Sequence, residues 1–221
     1  MDAEAYSKSK WAANRLEKTK IFLEKGFELF TARSIEAVNM IEVAEASGHG
    51  IATLYRYFSN KAGFAVAISE WKWGEFFEAN KRRRPRENFE GMTAADMFDF
   101  YLDSFLETYR NYRDLLRFNQ LFNIYLRAEA ASQEHVEAYR GLLQPVTAFF
   151  HAMYEKGLED QTIRTDIPEE EMLSTTVHLM LAVVTRYAVG LVYQPKGGFD
   201  PEKELETLKE ILIEKYTKKL Q

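Results

Sequence analysis

Thr53, Tyr55, Arg56, Tyr57 and Lys61 gather three hydroxyls, a guanidinium and an ammonium into one short stretch of chain. Groups of this kind can donate to phosphate oxygens and base edges of a duplex. They close a block from Asn39 to Lys61 that reads N-M-I-E-V-A-E-A-S-G-H-G-I-A-T-L-Y-R-Y-F-S-N-K. No set suited to catalysis competes with it. The four histidines, His49, His135, His151 and His178, are scattered and lack H-E-x-x-H spacing. There is no Gly-rich phosphate loop and no serine in a nucleophile-elbow context. These residues point to no enzyme, no metal site and no cofactor.

Two short helices must carry the block. Asn39 can accept from a free first-turn N–H, and Glu42, three residues on, can reach back to the Asn39 amide, which makes a helix start. Ile41, Val43, Ala44 and Ser47 give a narrow small-residue stripe, and Gly48 stands where a C-cap needs positive φ. From Ile51 to Phe58 the helical period resumes, with Leu54 and Phe58 on the inner face and Thr53, Tyr55, Arg56 and Tyr57 on the remainder. Two helices joined by a short glycine-containing turn are the shape that sets the second helix in a major groove. Period and composition alone are equally compatible with a plain helical hairpin.

The stretch resembles the DNA-binding domain of the tetracycline-repressor (TetR) family, through Val43-Ala44, Gly48, Thr53-Leu54-Tyr55, Tyr57-Phe58 and Lys61. Lys20, Ile21, Gly26-Phe27-Glu28-Leu29-Phe30 and Ala32 resemble its first helix, so the motif covers about residues 15 to 68. The resemblance implies an all-α homodimer. On that resemblance, a three-helix head at residues 1–62 is expected to read half of a palindromic operator in double-stranded DNA. A helical domain at 63–221 is expected to bind a small-molecule effector and the second copy. The DNA-binding set it implies is Asn39, Met40, Gly50, Ile51, Ala52, Thr53, Tyr55, Arg56, Tyr57 and Lys61.

Several positions depart from the pattern. His49 replaces a buried aliphatic. Gly50 replaces a capping Ser or Thr, at a cost on the order of 0.5 kcal/mol. Ile51 and Ala52 fall where base-facing side chains stand in the family; isoleucine cannot donate, but it can pack on a thymine methyl.

The chain of 221 residues is 46% hydrophobic and 29% charged, enough to build a core. It holds no cysteine, so no disulfide framework is expected. The N-terminal stretch has no apolar h-region, and no window approaches 18 uncharged apolar residues. A cytoplasmic protein with no membrane partner is expected. Net charge is −5, yet residues 1–62 hold nine Lys/Arg against eight Asp/Glu, so the acidity lies in the larger segment. A head at +1 must rely on placed contacts more than on a broad field. Lys8, Lys10, Arg15 and Lys18 lie either along the flanking DNA backbone or in a solvated arm.

After Lys61, Phe64, Ile68, Trp71 and Phe76 continue an apolar stripe that ends at Lys81-Arg82-Arg83-Arg84-Pro85-Arg86, read as a solvated helix end. Helices are expected over 94–111, 113–130, 135–156, 169–192 and 201–219, with a bend near Pro145. The last two carry Leu179, Val183, Tyr187, Leu208, Leu212 and Tyr216, and by the family resemblance they form the dimer surface. Phe118, Asn119, Phe122, Asn123, Tyr125, His151, Tyr154, His178 and Arg186 are polar or aromatic groups on apolar helices. They fit either a satisfied core or a pocket for a largely apolar or aromatic effector. The alternative to a ligand-released repressor is a helical ligand-sensing or protein-interaction module that does not bind DNA.

Overall fold

The computed structural model describes residues 3–83, 89–128, 133–191, 193 and 195–218, without the side chains of 3–12, 83, 133–136, 138–140, 142 and 143. Lys8, Lys10, His135, Leu142, the end of the basic run at Arg83–Arg86, and Val192 therefore lie outside the described side chains or residues. Among the described residues the chain is all-α: α1 Ala3–Arg33, α2 Met40–Ala46, α3 Ile51–Tyr57, α4 Lys61–Arg83, α5 Ala94–Asn111, α6 Arg113–Ala128, α7 Gln133–Asp160, α8 Glu169–Val189 and α9 Pro201–Tyr216. Pro145 sits inside α7.

Packing divides the chain into two units, Met1–Gly74 with Phe118–Arg140, and Glu75–Arg117 with Gly141–Gln221. The first unit is built on fully buried aromatics, Phe22 and Phe30 from α1, Phe64 from α4, and Phe118 and Phe122 from α6. Phe64 meets Phe58 at 4.7 Å and Phe30 at 5.8 Å between ring centroids. Gly26 is what lets α1 and α4 come so close. A Cβ there would lie 2.4 Å from Phe64 Cζ and 2.7 Å from Ile68 Cδ1.

The second unit packs α5, α7, α8 and α9 around Phe98, Leu102, Phe150, Met172, Met180, Leu205 and Leu212. Thr93 and Asp96 form a capping box that starts α5. Two more first-turn amides of α5 are satisfied from the end of α7: Ala94 N–H donates to Asp160 Oδ2 at 2.7 Å, and Ala95 N–H to Thr162 Oγ1 at 3.0 Å. An isolated antiparallel bridge, Ile163 to Thr217, ties the chain after α9 to the turn after α7.

By length and composition α8 is apolar enough to cross a membrane. Here it is a core helix that buries Met172, Thr176, Met180 and Val184, while Leu179 and Val189 stay exposed. The helix ends at Val189 and not at 192, because Gly190 takes φ +106° and its N–H closes on Arg186 O. α9 ends at Tyr216 and not at 219, since Thr217 is extended and joins the bridge.

Candidate nucleic-acid interface

α2 opens with the reciprocal cap: Glu42 N–H donates to Asn39 Oδ1 at 2.9 Å, and Asn39 N–H donates to Glu42 Oε1 at 3.0 Å. That bond, followed by the Arg33 guanidinium on the same side chain, holds the Glu42 carboxyl below its usual range. Arg33 thereby ties the end of α1 to the start of α2. α2 stops at Ser47, and Gly48 follows at φ +69°, a left-handed turn that costs a glycine nothing. His49, off the family pattern, turns its ring to Ser47 O at 2.7 Å and packs 5.2 Å from Phe22. Gly50 caps α3 by backbone alone, with no side-chain bond.

α3 is rooted by Leu54, fully buried, and by Phe58 just beyond its end. Ala52, Tyr55 and Arg56 point outward, Tyr55 with 48% exposure, while Ile51, Thr53 and Tyr57 are half-buried. Tyr57 lies edge-on to Phe22 at 5.8 Å. Asn60 starts α4 by accepting from Gly63 N–H at 2.7 Å, and Lys61 Nζ donates to Glu36 O at 3.3 Å. Nine of the ten residues named for DNA surround α3 with some exposed surface. Met40 is the exception: it is buried in the unit core, because the Asn39 cap turns the first residue of α2 inward. Ile41, expected on the packed stripe, is 56% exposed instead.

The nine residues named for an effector are divided between the two units. Phe118, Asn119, Phe122 and Tyr125 are buried in the first unit, where α6 completes the core around α1 and α4; Asn123 is exposed. In the second unit His151, His178 and Arg186 are exposed, and His151 bonds Glu169 at 3.0 Å. Tyr154 is buried, with its hydroxyl donating to Ile167 O at 2.7 Å. Buried polar atoms that lack a partner lie elsewhere in that unit, at Tyr101 Oη, Thr176 Oγ1 and Thr185 Oγ1. Tyr101 sits among Phe105, Phe149 and Phe150 at 5.3–6.1 Å, and burial raises its pKa. Sequence periodicity passes over these three because a hydroxyl on an apolar face carries no sign of whether it is satisfied. Among the described residues no group of three or more His, Asp or Glu could hold a metal ion.

Of the residues named for dimerisation, Leu179 is exposed, and Val183, Tyr187 and Leu208 are half-buried. Leu212 and Tyr216 are not on the surface. They close the core, Tyr216 edge-on to Phe98 at 5.9 Å, and Ile211, one position along, faces out at 56% exposure.

Residues 22–68 match the family model described as bacterial regulatory proteins, tetR family. No curated protein sequence matches the chain. Among solved structures, a transcriptional regulator from Saccharomonospora viridis in complex with choline is 15% identical with a TM-score of 0.71, covering 92% of this chain and 99% of its own. FadR from Bacillus subtilis in complex with stearoyl-CoA is 16% identical at TM-score 0.67, with coverage of 88% and 97%. A regulatory protein in the tetR family from Rhodococcus RHA1 is 16% identical at 0.67, covering 89% and 95%. Residues 22–68 thus match the model of the tetR family's DNA-binding head, and the chain shares its fold with these solved structures.

Proposed function

We propose that the chain is a repressor that binds a palindromic operator in double-stranded DNA as a homodimer and is released by a small, largely apolar or aromatic molecule. Residues 1–62 read DNA, and residues 63–221 hold the effector and the second copy. One observation carries the DNA reading: α3 is anchored by buried Leu54 while Ala52, Tyr55 and Arg56 stand outward on the same helix. A short helix held this way can enter a major groove without loss of its root. Ile51 and Ala52 then meet base edges by apolar contact, which favours thymine methyls. Thr53, Tyr55, Arg56 and Lys61 donate to bases or phosphates. Asn39 spends its Oδ1 on the cap but keeps its amide NH₂ for a phosphate.

The effector reading is supported by two neighbours of the same fold, one holding choline and the other stearoyl-CoA. In this chain its support is the partnerless hydroxyls of Tyr101, Thr176 and Thr185 in an otherwise apolar core. A ligand that is mostly apolar and offers one or two acceptors would offset their desolvation. The dimer reading is supported by the outward apolar residues Leu179, Val189 and Ile211 on or next to α8 and α9.

The deciding experiment measures binding to the DNA just upstream of the chain's own gene by fluorescence anisotropy, for the wild type and Tyr55→Ala. A salt-dependent, sequence-preferring complex weakened by the substitution is expected. If the wild type shows no preference over unrelated duplex, the helical module without DNA binding replaces this reading.

A further inference from the structure

We propose that α1 adds a second DNA contact, a cleft between its residues 14–18 and the end of α3 that takes a backbone phosphate of the duplex. The cleft has a volume of about 280 Å³ and is lined by Asn14, Arg15, Lys18, Arg56 and Tyr57. The guanidinium carbons of Arg15 and Arg56 lie 5.6 and 5.8 Å from the centroid of the same Tyr57 ring. Lys18 brings a third cation, and among the described residues the lining contains no carboxylate. Three like charges gathered in one cleft repel. The face of Tyr57 offsets part of that repulsion, and a bound anion would lower it further. Tyr57 is itself fixed by its edge contact with Phe22 in the unit core, so the platform under both guanidinium groups is rigid.

The chemistry and position select a phosphodiester. Guanidinium forks match phosphate oxygens in pairs, and the Asn14 amide adds a neutral donor. Arg56 and Tyr57 directly follow Tyr55, so a helix that lays Tyr55 in a major groove sets this cleft against the strand bordering it. The head carries a net charge of only +1 over residues 1–62, so three cations in one place concentrate what the segment lacks on average. Arg15 and Lys18 precede the segment matched by the family model, which begins at residue 22. The inference rests on the DNA reading above.

The test compares the full-length wild type with the double variant Arg15→Ala, Lys18→Ala on the upstream fragment and on a duplex of unrelated sequence, across a salt series. The slope of log K against log salt should become shallower by about 0.9 for each phosphate released. Affinity for both duplexes should fall by the same factor, about tenfold, leaving the preference ratio unchanged. Arg15→Lys should keep the slope. Both residues are at least partly solvent-facing, so thermal melting should not move and folding cannot account for the loss. An unchanged slope, or a collapse of the preference ratio, overturns the cleft while leaving the operator reading in place. A wild type that binds neither duplex overturns both.

Discussion

Single side chains carry several of the constraints that the helices only frame. Ser34 ends α1 at φ +81°, a left-handed conformation that a residue with a Cβ adopts at a cost. Its hydroxyl returns only a long 3.4 Å bond from Ala37 N–H. Ser34→Gly should raise stability by about 0.5–1 kcal/mol, measured by urea unfolding. Tyr101 poses the opposite question, since its buried hydroxyl costs stability in the free protein. Tyr101→Phe should raise the melting temperature without effector. If the hydroxyl meets the effector, the same change should shrink the thermal shift that a largely apolar ligand produces; a stabilised variant with an undiminished shift removes Tyr101 from the ligand site. His151 is held above its ordinary pKa by its bond to Glu169 and then by that carboxylate's charge. The added stability is therefore full below about pH 6.5, the ordinary histidine value, and fades as pH rises through the elevated folded value. A proton NMR titration should place the His151 midpoint above 6.5 as a rough reference, and Glu169→Gln should lower it.

At the scale of elements, the close pass of α1 over α4 is the feature most exposed to test. Gly26→Ala would drive a methyl into Phe64 and Ile68, both fully buried and braced by Phe30 and Phe58. The loss should be about 1–3 kcal/mol, visible as an earlier urea midpoint. The same scale shows what was legible before the structure. The Asn39–Glu42 box, the Gly48 turn and the Leu54/Phe58 root of α3 are local, and local chemistry is written in neighbouring residues. The destination of α6 is not local. Phe118, Phe122 and Tyr125 form an apolar stripe that suits any core, and only the fold assigns it to the unit of α1 and α4. Likewise α9 offers two faces. Leu205, Leu212 and Tyr216 share one and Leu208 and Ile211 another, and the period cannot say which is inward. Met40 illustrates the finest grain: a one-residue rotation at a helix start moves a side chain from the groove to the core.

For the whole molecule, the decisive quantity on the proposed reading is the linkage between two heads. If α3 is the reader, seven residues with a weakly charged surround should bind a half-site poorly alone, and joining two of them would make the second contact intramolecular. On the proposed reading, that joint is the outward apolar surface of α8 and α9. Leu179, Val189 and Ile211 are its exposed members, at 43%, 51% and 56%, and Leu179 and Ile211 lie away from the helix ends. Neither supports the core of its own unit, so a charge at either position should leave the fold intact. Leu179→Glu with Ile211→Glu should shift the protein from dimer to monomer in analytical ultracentrifugation, with an unchanged helical signal by circular dichroism. Operator affinity should fall by about a hundredfold or more, the contribution of a tethered second site, while binding to a single half-site changes little. A double variant that stays dimeric would move the interface to another face. One that becomes monomeric yet keeps full operator affinity would mean that the heads act singly.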